Sequence, residues 1–211
     1  KYMGDCIMAF WGAPVDAPEH AKQALRAAHE MLDALAAINQ AQGHKNAAPI
    51  GVGIAINSGV MCVGDMGSAS RQAYTVIGDE VNLCARLESQ SRVFAVPIIV
   101  AESTRTRNAD YAWQELDQVQ VKNRKTPSRI FTPLGLRSAQ SAEKLQELKI
   151  WDAALREYRA GNWDACEMYL LNAMRLNPSS QLYRLYSERI NSLRLAPPPN
   201  WTGVTVIDSS I

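Results

Sequence analysis

Apolar residues recur at intervals of three and four in two parts of this chain, which is the spacing of one buried face of an α-helix. The first part spans residues 19–42 and follows Asp16 and Pro18, which are typical of a helix start. Its apolar positions are Ala24, Ala28, Met31, Leu35 and Ile38. The second part begins near residue 138, and its apolar stripes are interrupted at residues 161–162 and 177–178. This second pattern predicts three consecutive helices.

Short apolar runs with small residues between them predict strands in the rest of the chain. Residues 1–12 are expected to form two short strands around a tight turn at Gly4 and Asp5. Residues 50–67 alternate between branched apolar residues and Gly or Ala, which predicts a β-hairpin that turns at residues 57–59. Further elements are expected as a strand at residues 97–100, a helix start at Ser103, and paired strands at residues 113–121 and 129–134.

Residues 74–88 combine an extended apolar run with a helix that follows Gly78. Asp79 is a suitable N-cap, and apolar residues on most sides of the helix predict that it is largely buried. Asn82 and Arg86 are four positions apart and therefore share one polar stripe. An unpaired buried guanidinium is costly, so Arg86 should face either a protein carboxylate in a structural salt bridge or a bound anion.

Three segments together resemble the catalytic domain of class III adenylate and guanylate cyclases. They read K-Y-M-G-D at residues 1–5, I-G-V-G-I-A-I-N-S-G-V-M-C-V-G-D-M-G at residues 50–67, and Y-T-V-I-G-D-E-V-N-L-C-A-R-L-E at residues 74–88. The resemblance covers residues 1–135 and implies an α+β fold, the ferredoxin-like α/β sandwich of these cyclases, with its first strand missing. A small all-α unit at residues 136–196 and an extended tail at residues 197–211 are expected to follow.

The resemblance also implies roles for several side chains. Asp5 would hold a pair of divalent metal ions, Mg²⁺ or Mn²⁺, together with an Asp on an earlier strand that lies outside the sequence. Taken alone, an Asp after a Gly would be read as a turn residue. Arg86 would stabilise charge on the transition-state phosphate, Asn82 would orient the ribose, and Lys122 would hold the outer phosphates. The family has a Gly after this Lys, whereas this chain has Asn123.

Two further positions bear on the nucleotide base. By the same resemblance, the Thr75 hydroxyl and the Lys1 cation match the adenine edge, which predicts ATP as the substrate. The implied activity is conversion of ATP to 3′,5′-cyclic AMP and pyrophosphate by a homodimer, with the metal-binding Asp and the other site residues coming from different subunits. Residues 1–211 alone are expected to be inactive, because one metal ligand is missing. The alternative is a degenerate cyclase-homology domain that binds a nucleotide or a partner without turnover.

Composition narrows the setting of this activity. Twenty-two basic residues against 21 acidic ones give a net charge of +1, which offers no electrostatic reason to expect nucleic-acid binding. The four cysteines are scattered, so reduced thiols in the cytoplasm are expected. No apolar run approaches the roughly 20 residues that span a bilayer. Because the chain starts inside a strand motif, an upstream sensor or membrane anchor is predicted for the parent protein.

The helices predicted after residue 138 resemble a single tetratricopeptide-like helix pair with a capping helix. Such units normally stack in arrays and bind partners. A protein partner for these helices and simple packing against the cyclase domain therefore both remain open. A third hypothesis makes the helices the functional module and the cyclase part a scaffold. The joint presence of Asp5, Thr75, Asn82 and Arg86 argues against it.

Overall fold

The computed structural model of this chain describes residues 1–43, 48–68, 71–122, 124 and 126–207. In chain order its strands are β1 (Tyr2–Met3), β2 (Cys6–Ile7), β3 (Ile54–Ile56), β4 (Cys62–Ser68), β5 (Arg71–Ile77), β6 (Ile98–Ala101), β7 (Tyr111–Val121), β8 (Ser128–Leu136) and β9 (Thr205–Ile207). Its α-helices are α1 (His20–Gly43), α2 (Asp79–Phe94), α3 (Glu102–Arg105), α4 (Ala142–Ala160), α5 (Trp163–Leu176) and α6 (Gln181–Leu195). The predicted α+β fold is confirmed.

A mixed five-stranded sheet with the order β3-β6-β8-β7-β9 carries the core. β8 pairs antiparallel with both β6 and β7, while β3 is parallel to β6 and β9 is parallel to β7. The outermost strand β9 comes from the end of the chain, with Thr205 opposite Val119 and Ile207 opposite Val121. The segment that the sequence predicted as an extended tail therefore contributes a strand to the sheet.

The predicted hairpin in residues 50–67 is wrong. β3 pairs with the distant strand β6, and β4 pairs antiparallel with β5 in a separate two-stranded ribbon. The Asn57 side chain hydrogen-bonds the backbone oxygen of Glu80 at 2.9 Å and accepts a bond from Ser103 at 2.8 Å. The chain therefore leaves the sheet after β3 instead of turning back on itself. Residues 69 and 70, between β4 and β5, lie outside the described residues.

The two faces of the five-stranded sheet are covered by different helices. On one face, α1 packs Ala24, Leu25 and Ala28 against Ile98 and Val100. The opposite face carries a larger cluster, to which α2, α4, α5 and α6 all contribute buried side chains. The fully buried aromatic side chains Trp151, Tyr183 and Tyr186 lie within it. The C-terminal helices and the sheet thus share one continuous apolar core.

The ends of the C-terminal helices follow local sequence signals. Ser141 and Ser180 precede α4 and α6, and each side chain accepts a hydrogen bond from a backbone N–H three residues later. Gly161 ends α4 in the left-handed region, with φ of 76°, which a glycine adopts without strain. The three helices predicted after residue 138 are therefore present. None of the described helices has both the length and the hydropathy needed to cross a bilayer.

Candidate active site on α2

The central helix α2 is connected directly to β5 through Gly78. Gly78 has φ of 155°, a backbone conformation that residues with a side chain rarely adopt, so a glycine suits the sharp change from strand to helix. Gly78 itself is the N-cap, and no side chain caps the helix. The prediction of Asp79 as N-cap is therefore wrong. Asp79 and Glu80 lie in the first turn instead, where negative charge is favourable.

Only one side of α2 is buried. Leu83 and Leu87 face the core, whereas Asn82 and Ala85 are exposed and Arg86 is partly exposed. The expectation of a largely buried helix is therefore wrong, because the apolar residues Ala85 and Val93 of α2 are exposed. The polar stripe of Asn82 and Arg86 lies beside this open surface, accessible to a ligand or a second molecule.

The guanidinium of Arg86 reaches the end of β7. Its Nη1 donates a hydrogen bond to the backbone carbonyl oxygen of Lys122, the residue that follows β7. Among the described residues, no carboxylate forms an ion pair with Arg86. The structural salt bridge considered from the sequence is thus not found in the described part of the chain. The structure thus brings Arg86 and Lys122 together, and Asn82 lies one helical turn before Arg86 on α2.

A second contact fixes the same loop to α2. Arg124 Nη2 lies 3.0 Å from Glu80 Oε1, and Asn57 Nδ2 lies 2.7 Å from Glu80 Oε2. Partial burial opposes ionisation of Glu80, but the hydrogen bonds from Arg124 and Asn57 outweigh it and lower the pKa of this carboxyl. Sequence reasoning missed this pair, and its only visible sign was an acidic residue in the first helical turn. Asn123, which replaces the family's Gly, lies outside the described residues.

Asp5 occupies the tight turn between β1 and β2. Gly4 before it has φ of 64°, and Met3 pairs with Cys6 across the turn. The Asp5 side chain is exposed, and its hard carboxylate oxygens suit Mg²⁺ or Mn²⁺. Within the described ranges, no group of three or more His, Cys, Asp or Glu side chains is close enough to hold a metal ion. Asp5 therefore fits the chemistry of a single metal ligand.

Thr75 lies on β5, two positions before the strand ends. It pairs with Gly64 on β4, and a methyl group added at Gly64 would meet no atom within 4 Å. The neighbouring Val76 points to the opposite face and is buried. The half-buried Thr75 side chain therefore lies on the open face of the ribbon, with free space beside it.

A ring contact connects the N-terminal segment to β5. The rings of Phe10 and Tyr74 lie 6.0 Å apart, which places the segment after β2 against β5. Burial raises the pKa of the Cys84 thiol on α2 to about 11, and the nearby thiol of Cys6 adds to this effect. β5, which carries Thr75, thus continues through Gly78 directly into α2, and the segment after β2 lies against β5.

Two glycines in residues 50–67 lie directly beside α2. A Cβ added at Gly53 would lie 2.2 Å from Ser91 Oγ, and one at Gly59 would lie 2.5 Å from Glu80 Cγ. Both glycines therefore allow α2 of the same chain to approach closely.

Comparison with known proteins agrees with this architecture. A family model described as the adenylate and guanylate cyclase catalytic domain matches residues 1–132. The chain belongs to this family, and its predicted resemblance to class III cyclases is confirmed. Adenylate cyclase 1 of Rhizobium meliloti is 28% identical over 137 residues, which are 64% of this chain and 21% of that protein. The chain thus spans about a fifth of the length of this curated relative.

Solved cyclase structures share the fold. The adenylyl cyclase CyaB from P. aeruginosa superposes with a TM-score of 0.57 at 27% identity, covering 67% of this chain and 73% of that one. The guanylyl cyclase Cya2 superposes with a TM-score of 0.58 at 30% identity, covering 67% and 71%. One of these is named for adenylyl and the other for guanylyl chemistry. The likeness therefore defines the family and leaves the choice of base to individual residues.

Proposed function

We propose that this chain is the catalytic domain of an adenylate cyclase that converts ATP to 3′,5′-cyclic AMP and pyrophosphate. The observation that carries the proposal is the position of Arg86. Its guanidinium lies at an open edge, is held in place by a backbone carbonyl, and has no carboxylate partner in the described chain. A bound phosphate would supply the missing anion, and the bidentate geometry of Arg suits phosphate oxygens.

The reaction places specific demands on the residues around Arg86. The ribose 3′-oxygen attacks the α-phosphorus in line while pyrophosphate leaves, so positioning and charge stabilisation dominate catalysis. Arg86 stabilises the negative charge that develops at the α-phosphate. Asn82, one helical turn earlier on the same stripe, orients the ribose. Lys122 holds the outer phosphates at the end of β7.

Base recognition falls to Thr75 and Lys1. The Thr75 hydroxyl accepts a hydrogen bond from the amino group of adenine, and the Lys1 ammonium donates to the ring acceptor beside it. The open space at Gly64 across the ribbon leaves room for a planar base next to Thr75. Asp5 would hold divalent metal ions, which supply activation of the attacking oxygen and neutralisation of the triphosphate.

A second copy of this chain completes the proposed site. Large apolar side chains are exposed near it, including Val60 at 95% and Tyr2 at 82%. Exposed apolar clusters of this kind mark interaction surfaces. In the homodimer, Asp5 of one subunit faces the Thr75, Asn82 and Arg86 of the other, and the symmetric interface contains two such sites.

The base assignment is tested by the double substitution Lys1→Glu with Thr75→Cys, made in a form of the protein extended upstream of Lys1. Mispaired polar groups cost about 1–3 kcal/mol each, so the ratio of kcat/KM for ATP over GTP should fall by about tenfold or more. The matched control carries the same residue changes at the exposed positions Lys149→Glu and Thr106→Cys. An unchanged ratio in the first variant would show that these two positions do not read the base.

A nucleotide-binding domain without turnover is the second candidate function. Both candidate functions use the accessible guanidinium of Arg86 to bind phosphate. They differ in whether bound ATP is converted to cyclic AMP. Labelled nucleotide binding together with cyclic AMP release distinguishes them. Tight binding of ATP that depends on Arg86, without cyclic AMP from the extended protein in the presence of Mn²⁺, would favour this second function.

A further inference from the structure

The C-terminal helices are bonded to four consecutive residues of β7. Each of these residues uses either its side chain or its backbone carbonyl, and each partner lies on α4 or α6. The bonds are Gln114 to the Tyr183 hydroxyl at 3.0 Å, the Glu115 carbonyl to Trp151 at 2.6 Å, the Leu116 carbonyl to Tyr186 at 2.8 Å, and Asp117 to Arg189 at 2.7 Å. This is an unusual concentration of polar contacts for a strand that is buried on both faces.

Arg189 on α6 makes the last of these contacts and also reaches the helix α2. Its Nη1 bonds Asp117, whose side chain is 1% exposed. The guanidinium also lies 4.9 Å from the ring centre of Tyr186 and 5.6 Å from that of Phe94, the last residue of α2. Thr205 on β9 donates a second hydrogen bond to the same Asp117 oxygen at 2.8 Å. One side chain therefore contacts both β7 and α2, and its partner Asp117 also binds β9.

The charges at this junction depend on one another. Burial alone would lower the pKa of Arg189, but the facing Asp117 carboxylate outweighs it and keeps the guanidinium charged. Removal of either partner leaves the other as an uncompensated buried charge. The paired charges therefore favour the observed contact of α6 with β7.

Two routes lead from this junction to the proposed catalytic residues. β7 continues from Asp117 to Val121 and is paired there with β9. The next residue, Lys122, accepts the hydrogen bond from Arg86 through its backbone carbonyl. The helix α6 also packs against α2, and Leu83 and Leu87 share their apolar core with residues of α6. Both α2 and β7 thus pack against the C-terminal helices.

We propose that the C-terminal helices position the cyclase site, with Arg189 as a positioning residue for Asn82, Arg86 and Lys122. This inference rests on the proposed function and assigns a role to the helical unit. The face that bonds β7 is occupied by the sheet of the same chain and is closed to a partner. A movement of α6 would shift both α2 and the end of β7. A displacement of about 1 Å of the catalytic side chains is enough to slow the reaction strongly.

The test compares Arg189→Met with Arg194→Met. Arg194 lies on the same helix and binds the carboxylates of Asp164 and Glu167, which are on α5 and not on the sheet. In the upstream-extended protein, well below its unfolding temperature, Arg189→Met should lower kcat for ATP by about tenfold to a hundredfold with a smaller change in KM. Arg194→Met should leave both constants within about twofold.

Two further variants separate positioning from loss of stability. Leu170 is buried on α5, which carries none of the residues bonded to β7, so for Leu170→Ala the unfolding temperature should fall while kcat measured below that temperature stays unchanged. Arg189→Lys keeps the ion pair with Asp117 and should restore part of the lost kcat. If Leu170→Ala slows turnover as much as Arg189→Met at matched stability, the helices have only a structural role and the proposal is overturned.

Hydrogen exchange of the 211-residue chain provides a readout that needs no catalysis. Arg189→Met should speed exchange of the amides of residues 119–122 and of residues 87–94 at the end of α2 by about tenfold or more relative to Arg194→Met. Faster exchange confined to α6 and β9 would overturn the inference. An inactive extended protein that still shows this exchange pattern would contradict the proposed function and leave the mechanical connection supported.

Discussion

Polar side chains on α2 and on β7 differ in their exposure and in the partners they bind. On the outer face of α2, Asn82 is exposed, and within the described residues the Arg86 guanidinium hydrogen-bonds only the backbone carbonyl of Lys122. On β7, Glu115 is 6% exposed and its carboxylate accepts hydrogen bonds from both Arg129 and Arg159. Buried polar groups that are fully paired inside one chain stabilise that chain. Polar groups that have no such partner in the chain can bind a ligand or a second molecule.

Apolar side chains divide in the same way. The core shared by β7 and the C-terminal helices encloses Trp151, Tyr183 and Tyr186 completely. Around β1, β2, β4 and β5, large apolar side chains are exposed. The region near α2 thus leaves apolar and polar groups accessible to another molecule, whereas the region behind β7 is fully packed within the chain. We infer that substitutions near α2 change activity with little effect on stability, and that those behind β7 act first on stability.

The largest effect is expected for Arg86→Lys. Lys keeps the positive charge but lacks the planar fork that binds two phosphate oxygens, so kcat for ATP should fall by about 10²–10³-fold. The free energy of unfolding should change by no more than about 0.5 kcal/mol, because Arg86 is partly exposed. The control is Arg92→Lys, at an exposed position on the same helix. A large loss of stability in Arg86→Lys would remove the contrast between the two regions.

Glu115→Gln should have a smaller effect, and mainly on stability. Burial raises the pKa of Glu115, but Arg129 and Arg159 outweigh this and hold the pKa below its ordinary value of 4.5. The folded state therefore favours the carboxylate, and the stabilisation is complete above about pH 4.5 and lost as the pH falls through the lower folded pKa. We expect a loss of about 2 kcal/mol at pH 7.

The pH dependence distinguishes this charge effect from simple packing. In denaturant unfolding, the gap between wild type and Glu115→Gln should narrow as the pH falls below about 4.5, because the wild-type carboxyl also becomes neutral. Glu143→Gln, at an exposed position at the start of α4, is the control and should show no such gap. A gap that stays constant down to acid pH would mean that Glu115 contributes through its shape and not through its charge.

Local patterns in the sequence were sufficient for most of the helices and for the motif that defines the family. The helical spacing of Leu148, Trp151 and Leu155 correctly predicted α4, and the apolar run followed by Gly78 correctly predicted the transition from strand to helix. Serine caps and glycine ends also follow local rules. These signals depend on residues within a few positions of one another, so one sequence contains them.

The misses involve partners far apart in the chain. The turn residues at 57–59 suggested a hairpin, yet β3 pairs with β6 because the parallel partner gives its apolar side chains a buried face. Similarly, no spacing rule connects Asp117 with Arg189 or Glu80 with Arg124. The exposure of α2 on its outer side was also missed, because an apolar surface reserved for another molecule has the same composition as one that is buried within the chain.

Co-expression of two inactive variants tests the central claim most directly. In the extended protein, Asp5→Ala and Arg86→Ala should each be nearly inactive, because each substitution damages both sites of its homodimer. A mixed dimer contains both lesions in one site and leaves the other intact. Cyclic AMP formation should therefore return to as much as about a quarter of wild type if chains exchange at random and the sites are independent. Mixed dimers that are verified with differential tags and remain inactive would contradict a site shared between two copies of this chain.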